Sequence, residues 1–137
     1  MQRVLQAANI RVESEELEDK YSIEELAAVL AEARVKLPKL VARYAKEMGV
    51  SYEKVFVKAQ KTRWGSCSSK GNINLNCLLI NVPPYVRKYV IVHELAHRKE
   101  MNHSERFWRV VAEAIPEYQK AVKWLKTNGD SVIGRLP

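Results

Sequence analysis

The sequence predicts an α+β domain, with a small mixed sheet packed on a central helix and other helices around both. Three observations carry that prediction. Apolar and polar residues alternate at 54–60 and again at 72–77, the period of a half-buried strand. Apolar residues recur at helical spacing from Ile23 onward. Tyr85, Val86, Tyr89, Val90, Ile91, Val92, Leu95 and Ala96 make one segment apolar nearly all round, the pattern of a buried central helix. With 137 residues, 47% of them apolar, the chain can build one core and has no room for a second full domain.

The elements follow in order. Ser14 to Lys20 is a short acidic stretch with helical leanings. Ser22 begins a firmer helix, because its hydroxyl can cap free N–H groups and Glu25 sits three residues on, as a capping box requires. Ile23, Leu26, Ala27, Leu30 and Ala31 give it an apolar face. Pro38 marks a kink or restart. Leu40, Val41, Tyr44, Ala45 and Met48 carry the face on to Gly49, a stop signal. Val55, Val57 and Ala59 share one side of the first strand. Gly65 to Gly71 reads as a turn. In the second strand Ile73, Leu75 and Cys77 face one way and Asn72, Asn74 and Asn76 the other. Pro83-Pro84 opens the central helix, expected to run to about Met101. Ser104 caps a helix from Glu105 to about Ile115, and Pro116 permits a last one to about Lys126. This divides the chain into an acidic helical segment over 1–35, a domain over 36–126 and an extended or loose tail over 127–137.

Charge is uneven along the chain. Residues 1–32 hold three basic and eight acidic side chains, a net of −5; the remainder holds twenty and eight, a net of +12. A basic body leaves a nucleic-acid-associated module as an alternative reading, although no nucleic-acid motif accompanies it. No apolar run approaches the roughly 20 residues of a membrane span, so no membrane partner is expected. The N-terminus shows no secretory signal. Two cysteines, Cys67 and Cys77, cannot make a disulfide framework, which suits a cytoplasmic protein with reduced thiols.

The chemistry concentrates in His93-Glu94-Leu95-Ala96-His97, an HExxH motif. Residues four apart on a helix lie one above the other, so the two imidazoles can grip one metal ion. Glu94 stands about a quarter-turn away, where it can reach an activated water without binding the metal. That arrangement suits metal-assisted hydrolysis. Catalytic zinc usually takes three protein ligands. His103 is the remaining histidine of the chain and lies just past the expected helix break at Asn102. Glu100 and Glu105 are its rivals, with Glu100 better placed to orient a ligand from behind.

Arg63-Trp64-Gly65-Ser66-Cys67-Ser68, Gly71-Asn72-Ile73-Asn74-Leu75-Asn76, the HExxH pentad, Asn102-His103-Ser104 and Phe107-Trp108 together resemble the YgjP-like metallopeptidase family. That family is related to SprT-like proteins and to the compact minigluzincins. The resemblance spans about residues 36–134. It implies a minimal zincin or gluzincin-like fold and a zinc-dependent peptidase, with His93, His97 and His103 as ligands of one Zn2+ per chain and Glu94 as catalytic base. Longer members carry a β-rich N-terminal portion where this chain has its acidic front.

Arg63 and Trp64 are candidate cleft residues, Arg63 for the oxyanion; a tryptophan packed on the core beside a salt-bridged arginine is the plainer alternative. Tyr85 and Tyr89 can donate to a tetrahedral intermediate or simply pack the helix. Asn74 lies on the strand at 72–77, the expected shelf for an extended peptide. Phe107 and Trp108 are expected to anchor the helix after His103 against the HExxH helix. The function expected is zinc-dependent peptide hydrolysis through an activated water, by a monomer or homodimer. A terminal segment can make the chain latent, either the acidic front over 1–32 held by charge or, the favoured mask, the tail over 127–137 pairing as a strand; two plain appendages are the alternative to masking, and a non-catalytic structural zinc domain is a further alternative reading of the whole.

Overall fold

A computed structural model of the chain describes residues 19–137. The elements are α1 (Ile23–Met48), β1 (Val55–Lys58), β2 (Gly65–Cys67), β3 (Ile73–Asn76), a 3-10 turn (Cys77–Asn81), α2 (Pro84–Ala96), α3 (Glu105–Ala114) and α4 (Tyr118–Ile133). The architecture is α+β, a three-stranded mixed sheet in the order β1-β3-β2 with helices around it. β1 runs parallel to β3 and β2 antiparallel to it. Residues 1–18, which hold most of the acidic front and of the Ser14–Lys20 stretch, lie outside the described residues.

Local chemistry sets the helix starts. The Ser22 hydroxyl accepts from Glu25 N at 3.0 Å, and the Glu25 carboxylate accepts from Ser22 N at 2.8 Å, so both halves of the capping box form. Gly49 ends α1 in the left-handed region at φ +70°. Between these caps α1 runs as one helix through Pro38. The ring removes one hydrogen bond, but Leu37 and Val41 on either side are fully buried and hold the helix on the core. No restart occurs there, and α1 passes through position 36 without a break. Ile73 and Leu75 of β3, Leu78 and Leu79 of the 3-10 turn, and Val86, Ile91, Val92 and Leu95 of α2 fill the centre of that core.

The structure corrects further expectations. Residues 65–67 are a strand rather than a turn: Asn76 N donates to Trp64 O at 2.9 Å and Ser68 N to Asn72 O at 3.0 Å, so β3 holds the short segment from both ends. Only Ser68 to Asn72 turns. β3 is therefore the central strand, with β1 on one edge and β2 on the other, and it has no free edge to serve as a peptide shelf. Asn76 does not face outward with Asn74; it is fully buried. Its amide donates to Gln60 O at 2.7 Å and Arg63 O at 3.1 Å and accepts from Leu78 N at 3.0 Å, tying down the loop before Trp64.

Further corrections concern the helix ends and the tail. α2 stops at Ala96, five residues short of Met101. Arg98 N donates to Leu95 O and Lys99 N to Ala96 O, bonds of the tighter 3-10 kind. The Arg98 side chain fixes this turn by donating to Ser51 O at 2.8 Å and Ser69 O at 3.3 Å. α4 continues past Lys126 to Ile133, so the tail is neither extended nor loose. Gly129 does not break it, because that glycine is where the Trp64 indole packs: a Cβ there would lie 3.4 Å from the indole nitrogen. The segment after α4 is clasped to the start of α1. Tyr21 N donates to Arg135 O at 2.8 Å, Lys20 Nζ to Gly134 O at 2.8 Å, and Arg135 lies over the Tyr21 ring. Leu136 is only 3% exposed. Its side chain belongs to the core, so the tail is not a free strand that can mask a cleft.

Candidate metal centre

α2 carries His93 on its last full turn and His97 at its C-cap. The 3-10 turn then reverses the chain so that His103 arrives one residue before Ser104, the N-cap of α3. The Ser104 hydroxyl accepts from Phe107 N at 3.4 Å. One potential ligand atom from each of the three histidines lies within 4.8 Å of the other two. Among the described residues no other group of three such side chains meets this way.

The donor set fits a tetrahedral metal ion. Zn–N bonds of about 2.0–2.1 Å at tetrahedral angles place two ligand nitrogens about 3.3 Å apart. His93 Nε2 and His103 Nε2 are 3.2 Å apart. His97 Nδ1 donates to the main-chain oxygen of Glu100 at 3.0 Å, which leaves its Nε2 lone pair free. Glu100 thus meets His97 through its carbonyl. Tyr89 Oη lies 3.3 Å from His93 Nδ1.

Phe107, fully buried, supports all three imidazoles, with ring centroids 4.9, 4.5 and 4.8 Å from those of His93, His97 and His103. Trp108 stands beside His93 at 5.7 Å and stacks on Tyr118 at 5.3 Å. The two side chains join α3 to α2. Burial, reinforced by the neighbouring His97 and His103, brings His93 down to about 4, and burial also lowers His97. Both are neutral near pH 7 and have lone pairs to give.

Glu94 is 7% exposed. Burial raises its carboxyl to about 7, and the Arg63 charge opposes that rise. The carboxylate sits against β2: a Cβ on Gly65 would meet Glu94 Oε2 at 3.2 Å and Asn74 O at 3.0 Å. A cleft of about 270 Å³ opens in front of the histidines and Glu94, bounded by Gly65, Ser66 and Cys67 of β2 and by Met101. Of the other residues singled out in the sequence, Arg63 is exposed at the mouth of the loop before β2 and Trp64 packs on Gly129. Asn74 pairs opposite Ser66, and Tyr85 is exposed on the first turn of α2. None of these four lines the cleft, and neither does Tyr89. β2 and Met101 do; Gly65, Ser66 and Cys67 entered the sequence reading of the site only through the family resemblance, since three residues of strand show no periodicity, and nothing local marked Met101.

An HExxH helix with a third imidazole brought back by a turn, beside a buried carboxylate, defines a metallopeptidase. The comparisons agree. The family model described as YgjP-like, metallopeptidase domain, matches residues 2–128, and the chain belongs to that family. The crystal structure of the metallopeptidase zymogen of Pyrococcus abyssi, abylysin, is similar at 26% identity and a TM-score of 0.60, over 66% of this chain and 92% of that one. No significant match is found among curated proteins. The chain is a metallopeptidase whose histidine cluster suits a metal ion. Among the described residues no helix is long and apolar enough to cross a membrane.

Proposed function

We propose that the chain is a zinc-dependent metalloendopeptidase holding one zinc through His93, His97 and His103, with Glu94 as general base. The observation that carries this reading is the set of three converging imidazoles beside a buried carboxylate. Zinc in that cradle supplies Lewis acidity and lowers the pKa of water to about 7.

The substrate is an extended segment of a peptide or protein. Trp64, Ser66 and Ser68 direct their main-chain groups to β3, as the Trp64–Asn76 and Ser68–Asn72 bonds indicate. In an antiparallel pair alternate residues point the other way, so Gly65 and Cys67 present N–H and C=O to the cleft. A peptide adds along that edge by main-chain pairing. Glu94 takes a proton from the attacking water as the O–C bond forms, then passes it to the departing amine as the C–N bond breaks. The protein works in a reducing compartment, the cytoplasm, where the free thiols Cys67 and Cys77 persist.

The test pairs metal analysis with a peptidase assay. Glu94→Gln is expected to keep one zinc and lose at least a hundredfold in rate, the scale of general-base catalysis. His103→Ala is expected to lose zinc. Zinc lost from Glu94→Gln but kept in His103→Ala would overturn the assignment.

A further inference from the structure

The three histidines differ in what holds the nitrogen turned away from the cluster. His97 Nδ1 meets the Glu100 carbonyl, an oxygen that can only accept. His103 shows no such partner among the described residues. His93 Nδ1 meets the hydroxyl of Tyr89, one helical turn earlier on α2. That tyrosine is 7% exposed, and its ring is gripped from two sides. Tyr118 of α4 stacks on it at 6.3 Å with an interplanar angle of 11°, and the His93 ring meets it edge-on at 5.7 Å. Trp108 stacks on Tyr118 and also lies against His93. The hydroxyl is therefore held at His93 Nδ1 by packing from two other helices.

We infer that Tyr89 is a positioning residue for the metal centre: its hydroxyl accepts from His93 Nδ1–H and so keeps the Nε2 lone pair of His93 turned to the metal. This rests on the zinc reading above. The hydroxyl lies behind the imidazole, away from the cleft, so Tyr89 acts through His93 and not on the substrate. Partners of this kind fix the tautomer and ring orientation of a ligand and raise its basicity. Placed there and not lining the cleft, Tyr89 does not serve as the oxyanion donor.

The experiment is a zinc competition titration of the full chain with a fluorescent chelator, on the wild type, Tyr89→Phe and Tyr118→Phe. Tyr89→Phe keeps the stacked ring and removes only the hydroxyl. It should bind zinc about tenfold to a hundredfold more weakly, and its metal-free form should melt as the wild type does. Tyr118→Phe should titrate like the wild type, because its hydroxyl accepts from Gln119 and reaches no imidazole. In nitrogen-15 spectra of the zinc-loaded protein, the His93 Nδ1–H proton should be protected from exchange in the wild type and lose that protection in Tyr89→Phe. Wild-type affinity and an unchanged Nδ1–H signal in Tyr89→Phe would overturn the inference. So would an equal loss of affinity in Tyr118→Phe, which would mean that the loss does not depend on a hydroxyl at His93. A wild-type chain that takes no zinc would instead overturn the zinc reading itself, a result visible before any variant is compared.

Discussion

Glu94 is a carboxylate that the fold keeps short of water, and that has a measurable cost. Its pKa rises from 4.5 to about 7 in the folded chain without metal. A raised folded pKa means that the folded state holds the proton more tightly than the unfolded state does. The associated stability is fully present below about pH 4.5 and is lost as pH rises to about 7. In Glu94→Gln this dependence disappears. The metal-free variant should match the wild type near pH 4.5 and be more stable above pH 7, by on the order of 2–3 kcal/mol. Urea unfolding at both pH values reads the difference, and a constant offset would show that Glu94 ionises freely in the folded chain. The residue-level chemistry of the site was open to sequence reasoning where it depends on local spacing. His93, Glu94 and His97 sit four residues apart or less on one helix, so their convergence follows from helical geometry. The approach of Gly65 to Glu94 spans twenty-nine positions, and no local pattern encodes it.

Helices whose ends are set by neighbouring residues were equally legible. Ser22 with Glu25 and Ser104 with Phe107 N are closed within one turn of chain, and α1 and α3 begin where those caps stand. Ends set from a distance were not. α2 stops where Arg98 reaches back to Ser51 and Ser69, and α4 runs through Gly129 because Trp64 lies against it. β2 is three residues long and exists only because β3 pairs with it. The length of α4 carries a prediction. Ending the chain at Lys126 removes its last two turns, the buried Leu136 and the clasp to Tyr21. Loss of a buried leucine alone costs about 2–5 kcal/mol. The truncated protein should therefore show a lower urea midpoint and no gain in peptidase rate per folded molecule. A truncated form of wild-type stability and raised rate would mean that the tail is a latch after all.

Taken as one body, the molecule joins its helices at the metal centre. α2 supplies two of the three clustered histidines, the turn before α3 supplies the third, and α4 closes over Tyr89 through Tyr118. A bound ion ties these parts together in the folded state alone, so its free energy of binding adds to stability. Zinc at a hundredfold excess over its dissociation constant should raise the melting temperature by about 5–10 °C over the chelated protein. Calorimetry with and without chelator checks this, with His103→Ala as the variant that should not respond. Equal shifts in both proteins would place the stabilising ion elsewhere.

On the proposed reading, in which a peptide pairs along β2, the three-residue edge of that strand also says what kind of chain the cleft can receive. Its offer is main-chain pairing at Gly65 and Cys67, and a segment already paired within its own helix or sheet has no such groups to give. Folded proteins therefore enter only in their opened moments. How fast one is cut follows the population of the opened segment, set by the local stability of the target. The enzyme then discriminates by looseness before it discriminates by sequence.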